Sequence, residues 1–285
     1  MNSCGSKIQK CFNSLRVDAG SLSYKPLAME LVNYVVKDRI GFITLNRPEK
    51  RNALSFELVD ELKKKFDLAE HDQTVKVIVL KANGEAFCAG ADLGYLQKLQ
   101  TFSREENRED SRHLKDLFYK IYTLNKIVIA QVQGHALAGG CGLATVCDFV
   151  YAVPEAKFGY TEVRIGFIPA IVLVFLIRKI GEQRAKQLLL SGELINGEAA
   201  LQFGLVNKIV EKTQLDRTVI EVATKLISDN SGQSMGLTKK MIAEVQSMKL
   251  EDALEHAVNK NVEARSTNDC VRGVSAFLNK QDISW

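Results

Sequence analysis

Residues 127–170, IVIAQVQGHALAGGCGLATVCDFVYAVPEAKFGYTEVRIGFIPA, limit the fold more than any other stretch. Ile127 to Val132 has the length and β-branched content of a buried strand. Glycines follow at Gly134, Gly139, Gly140 and Gly142; Leu143 to Cys147 then reads as a short buried helix and Phe149 to Ala152 as another strand. A glycine-rich turn that opens a helix leaves backbone N–H groups free at the positive end of the helix dipole, so it suits developing negative charge. Beyond it stands one carboxylate, Glu162, between apolar and glycine-containing segments. An anion-holding turn with a nearby acid is a minimal kit for enolate chemistry.

Taken alone, such a turn is equally a tight packing corner. Nucleotide readings fare worse: there is no G-x-x-x-x-G-K-[ST], and GGCG is not G-x-G-x-x-G. A serine-hydrolase G-x-S-x-G elbow is also missing. The net charge of +4, with no basic run interleaved with aromatics, gives no footprint for nucleic acid. Cys4, Cys11, Cys88, Cys141, Cys147 and Cys270 lack metal-binding spacing, and several lie in apolar context, as reduced cysteines do. Ile168 to Ile177 is too short to span a bilayer, so no membrane partner is expected.

Along the chain, residues 1–28 are Ser- and Asn-rich with Lys7, Lys10 and Arg16, a composition open to a flexible leader or a transit peptide. Leu31 to Val36 and Ile40 to Leu45 alternate around Asp38-Arg39 as a β-hairpin. Ser55 caps a helix from Phe56 to about Glu70 with an apolar stripe of Leu58, Val59, Leu62, Phe66 and Ala69. Val75 to Leu80 reads as a strand, and Gly84 to Leu93 as a second turn able to offer N–H groups. Residues 97–113 are charge-dense and read as a solvated loop or helix start; Leu114, Leu117, Phe118, Ile121 and Leu124 mark an amphipathic helix after them. The repeated strand–turn–helix order predicts right-handed crossovers and a mainly parallel sheet. Past Ala170 the periodicity is helical over Glu182–Leu190, Leu215–Ser228, Leu237–Met248 and Leu250–Ala264, while Cys270 to Lys280 alternates small and apolar residues.

In order along the chain stand NRPEKRNAL (Asn46–Leu54), FCAGADL (Phe87–Leu93), GHALAGGCGL (Gly134–Leu143), CD (Cys147-Asp148), KFGYTE (Lys157–Glu162), GFIP (Gly166–Pro169) and AFLNK (Ala276–Lys280). With these markers the chain from Met29 to Trp285 resembles the crotonase, or enoyl-CoA hydratase/isomerase, superfamily. The resemblance implies an α/β fold: a crotonase-like ββα superhelix in residues 29–215, and a C-terminal helical trimerisation or lid region in 216–285. It implies an acyl-CoA thioester as substrate, no metal or redox cofactor, and a homotrimer or homohexamer. Carried over by position, the oxyanion donors are the N–H groups of Ala91 and Gly139. Arg51, Ala53, Ala91, Asp92, Leu93 and Gly94 fall on CoA- and acyl-binding positions, with Lys280 as a further phosphate contact.

The departure is at Gly142, where hydratases of the family commonly carry the first of two glutamates; Glu162 matches the second. One carboxylate fits a Δ3,Δ2-enoyl-CoA isomerase. Against that, TEVRIGFIPA (Thr161–Ala170) and IRKIGEQRA (Ile177–Ala185) look most like the 3-methylglutaconyl-CoA hydratase subgroup. The favoured reading is therefore a hydro-lyase of branched enoyl-CoA thioesters, as in leucine degradation. Glu162 would activate water, a polar group or ordered water would replace the missing acid, and Arg164 is a candidate for a distal acyl carboxylate. A non-catalytic acyl-CoA-binding protein is the reading from another class. Asp148, His135 and Asp92 are expected to be structural, His71, His113 and His256 solvated. The expected location is cytoplasmic, or the mitochondrial matrix if residues 1–28 are a transit peptide.

Overall fold

The computed structural model describes residues 30–285, and the expected leader lies outside the described residues. Strands β1 (Val32–Lys37) and β2 (Ile40–Leu45) pair antiparallel, with Lys37 opposite Ile40. Asp38 and Arg39 turn the hairpin at φ 50° and 65°, the two left-handed residues of a turn whose twist matches that of the strands. Helix α1 (Phe56–His71) starts where Ser55 accepts the Leu58 N–H, and it buries the five residues of the expected stripe.

After α1 one unit is repeated three times: a long strand, a short strand turned off into a second sheet, then helix. The units are β3 (Val77–Ala82), β4 (Ala86–Cys88), α2 (Leu93–Leu99) and α3 (Arg104–Thr123); β5 (Ile127–Val132), β6 (His135–Leu137) and α4 (Gly139–Thr145); and β7 (Phe149–Ala152), β8 (Lys157–Gly159) and α5 (Ala170–Ser191). The long strands join the hairpin and β10 (Lys208–Ile209) in one sheet of order β1-β2-β3-β5-β7-β10, parallel from β2 onward. The short ones form a second sheet of order β4-β6-β8-β9, where β9 (Leu194–Asn196) is antiparallel to β8. The expected parallel sheet is thus split in two, because each crossover spends its first residues on a short strand. The result is a ββα superhelix.

Several boundaries differ from the sequence reading. The charge-dense stretch is helical: α3 begins at Arg104 in a capping box, where Ser103 Oγ accepts the Glu106 N–H and the Glu106 carboxylate accepts the Ser103 N–H. Helix α4 begins at Gly139, four residues before Leu143, although glycine is a poor helix former. Helix α5 begins at Ala170, ahead of the expected helix; Gly181, at φ 78° and ψ 163°, breaks it, and the helix expected from Glu182 follows that kink. The stretch around Cys270 is helix α10 (Asn268–Leu278).

Helices α6 (Gly197–Phe203), α7 (Leu215–Asp229), α8 (Gly232–Val245) and α9 (Leu250–Arg265) complete the chain before α10. Of these, α7 packs on β3, β5 and β7, so the first helix of the 216–285 region covers the large sheet. Neither α9 nor α10 buries a residue, and α9 carries Leu250, Leu254, Val258 and Val262 exposed at a spacing of four. No helix among the described residues is long and apolar enough to cross a membrane.

Candidate active site

The second sheet builds the site. Its strands β4, β6 and β8 are parallel, so their C-terminal ends share one edge, the edge where parallel sheets bind ligands. Just beyond β4 comes Ala91, just beyond β6 Gly139, and just beyond β8 Glu162. Three strand ends thus bring together three groups that are far apart in sequence.

Both N–H donors are freed by local geometry. Leu54 bridges Ala91: the Leu54 N–H donates to Gly90 O (2.7 Å) and Leu54 O accepts from Asp92 N–H (2.9 Å). These bonds go to the neighbours of Ala91, which points its own N–H the other way. Gly139 is the first residue of α4, where an N–H has no partner within the helix. The turns touch: a Cβ on Gly90 would come 2.9 Å from Ala138 Cβ, and one on Gly140 would come 2.2 Å from Cys88 O. Ala138 adopts φ 49° and ψ −125°, a conformation suited to glycine, which costs about 1–3 kcal/mol. It is held there because its N–H donates to Gly159 O (2.8 Å) and its own carbonyl accepts from Gly142 (3.0 Å). Strain at this residue aims the next N–H, that of Gly139.

Glu162 opens a single helical turn, Glu162–Ile165. Its Oε2 is buried and has no hydrogen-bond partner among the described residues. Burial pushes the carboxyl above the ordinary glutamate value, with its own backbone N–H pulling weakly the other way. That poises it to exchange protons nearer neutrality. Behind it, Tyr160 is fully buried and shares a 2.7 Å hydrogen bond with Thr145 Oγ1, tying the end of β8 to α4.

Asp92 does orient its turn. It caps α2 by accepting the Tyr95 N–H (3.0 Å) and pairs with Arg47 at 2.9 Å. Burial acts to raise its carboxyl, but the Tyr95 N–H and the Arg47 cation outweigh it and hold the group low. Arg47 also donates to Ala53 O (3.3 Å), so it clamps the 47–54 loop onto the Ala91 turn. The sequence reading quoted Arg47 within its motif without giving it this part. Arg51 is exposed, with φ 50°, and its carbonyl accepts the Ala89 N–H (3.0 Å). Ala53 is buried, while Leu93 is 79% exposed and Gly94 follows it in α2. Lys280 lies just past α10, a helix that packs on α8 and α9. Arg164 is exposed and forms no ion pair among the described residues; its side chain lies against Gly192.

The remaining candidates are structural. Asp148 pairs with Lys239 at 2.8 Å and accepts the Val128 N–H at 2.7 Å. His135 accepts the Lys157 N–H (3.3 Å). The histidines expected to be solvated have partners: His71 meets Asp67 O, His113 stacks on Phe56, and His256 meets Glu244. Burial pushes the thiols of Cys88 and Cys147 up to about 12 and that of Cys141 to about 11, which leaves them unreactive. No cluster among the described residues could hold a metal ion.

Comparison with known proteins agrees with this fold. The family described as enoyl-CoA hydratase/isomerase matches residues 36–285. A relative from Thermus thermophilus is 40% identical over 247 residues, covering 87% of this chain and 97% of its own. The short-chain-enoyl-CoA hydratase of Clostridium acetobutylicum is 34% identical over 259 residues, covering 90% of this chain and 98% of its own. Among solved structures, an enoyl-CoA hydratase from Mycobacterium smegmatis superimposes with a TM-score of 0.84 at 30% identity, covering 90% of this chain and 99% of that one.

Proposed function

The chain belongs to the enoyl-CoA hydratase/isomerase family, and from that premise we propose that it is a hydro-lyase adding water across the double bond of an enoyl-CoA thioester. The observation that carries the reading is Glu162: a desolvated carboxylate, its Oε2 buried and unpartnered, at the edge that also presents the N–H groups of Ala91 and Gly139. The thioester oxygen sits between those two donors, each worth about 3–4 kcal/mol as negative charge builds on it. Glu162 takes a proton from water as the oxygen of that water attacks Cβ, then returns the proton to Cα as the enolate collapses.

Within that chemistry the acyl group is a branched glutaconyl chain such as 3-methylglutaconyl, with Arg164 as the candidate for its distal carboxylate. Arg164 is supported by its freedom from ion pairs near Glu162. Arg51, Ala53, Leu93 and Gly94 are the CoA-side contacts, and Lys280 is assigned to phosphate. The exposed apolar row of α9 supports a homotrimer or homohexamer, because subunit burial would remove that row from water. A single-carboxylate isomerase is the second reading, favoured by the apolar surroundings of Gly142.

The test is a panel of crotonyl-CoA, 3-methylglutaconyl-CoA and a 3-enoyl-CoA with products read by mass. Gain of water on a 2-enoyl ester supports the proposal, and the glutaconyl ester should be the fastest. Isobaric conversion of the 3-enoyl ester alone transfers the assignment to isomerase; no turnover of any ester leaves a binding protein.

A further inference from the structure

Position 142 is closed by packing as well as lacking an acid. Gly142 lies one helical turn past Gly139 and adjoins Cys141, whose thiol feels the Glu162 charge. A carboxylate there would stand beside Glu162 as a second proton-transfer group. The space it needs is taken: a Cβ on Gly142 would lie 2.2 Å from Val172 Cγ1, 3.1 Å from Val172 Cβ and 3.2 Å from Phe118 Cε2. All three neighbours are carbon, so the wall that a side chain at position 142 would meet is apolar. Val172 is buried on the first turn of α5, and a β-branched side chain in a helix has one strongly preferred rotamer, so it cannot swing aside. Phe118 is fully buried and braced edge-to-face against Phe175 (6.3 Å), which also packs on Tyr122 (5.2 Å).

We propose that Val172 is a specificity-determining residue that keeps this a one-carboxylate site by occupying the volume a second acid would need. Resting on the hydration reading above, this makes Glu162 the group that both accepts the proton of water and returns it to Cα. The glycine of α4 and the valine of α5 act as a size-matched pair, and changing one alone creates a clash or a void.

The experiment is a mutant cycle of G142E, V172A and the double variant, with G142A and G142A/V172A as a milder set that adds one carbon. Thermal melting is read without substrate. G142A should lower the melting temperature by roughly 5 °C through overpacking, and V172A should recover most of that loss in the same chain. Hydration of crotonyl-CoA should be slowed by G142E alone, rise at least tenfold when V172A is added, and acquire a second carboxylate limb in the pH profile of kcat. The proposal is overturned if G142A and G142E melt like the wild type, or if V172A rescues neither. Melting rescue with no hydration in any variant would uphold the exclusion by Val172 and overturn the hydratase reading.

Discussion

Asp148 and Glu162 are both buried acids near α4, and the chain treats them in opposite ways. Asp148, just past the end of α4, accepts from Lys239 Nζ and from the Val128 N–H, and Lys239 also donates to the carbonyls of Ile121 (2.9 Å) and Lys126 (3.0 Å). Burial still raises the Asp148 carboxyl even with that cation in contact, so the pair offsets only part of its own desolvation. Glu162 has the desolvation without a cation, and its Oε2 has no hydrogen-bond partner among the described residues. A fold keeps an unsatisfied carboxylate at a strand edge when a substrate or water is to use it; it keeps a satisfied one to hold elements together.

The strongest way to break this contrast is to remove each charge in turn. Glu162→Gln should cut turnover by about 10²- to 10⁴-fold, the usual worth of a positioned acid or base, with thioester binding by calorimetry unchanged. A mutant that kept most of its activity would place the chemistry elsewhere. Lys239→Met should instead act on folding, costing about 3–5 kcal/mol in urea unfolding because it strands Asp148; the chemistry of whatever stays folded should match wild type. Between these extremes lies Arg47, whose partner Asp92 adjoins the oxyanion turn. Arg47→Met should lower kcat/KM about tenfold, near 1.4 kcal/mol, with most of the loss in kcat because the Ala91 donor is misaimed. An effect confined to melting would reduce Arg47 to a brace.

The smallest effect sharpens the comparison furthest. A carboxyl whose folded value is raised contributes stability below its unfolded value and loses it as pH rises through the folded one. Glu162 follows that sign, so Glu162→Gln should melt like the wild type in acid and slightly above it at neutral pH. Equal melting across the range would mean that the carboxylate is not desolvated. For the same reason the acid limb of kcat/KM should lie above the ordinary glutamate value of 4.5.

Local regularity made much of this legible beforehand. The stripe of α1 repeats at the helical period, the hairpin alternates, and glycine punctuation marked both candidate donor turns, with Glu162 the carboxylate beyond the second. Periodicity failed where packing overrides propensity. Helix α4 starts on two glycines because Cys88 O comes too close for any side chain at Gly140, and α5 starts inside the apolar run from Ile168 to Ile177, where the helical period is hard to see. Charge density left the start of α3 open between loop and helix, since its capping box resembles loop composition.

By itself, then, the sequence named the groups proposed for the chemistry, because backbone freedom at glycine and the identity of an acid are properties of single residues. Tertiary structure alone decided where they meet and what surrounds them. The shared edge of β4, β6 and β8 exists only through strand pairing, the Asp148–Lys239 contact joins α8 to the end of α4, and Val172 closes position 142 from another helix. Contacts of this kind depend on the volume between elements, and no window of consecutive residues contains it.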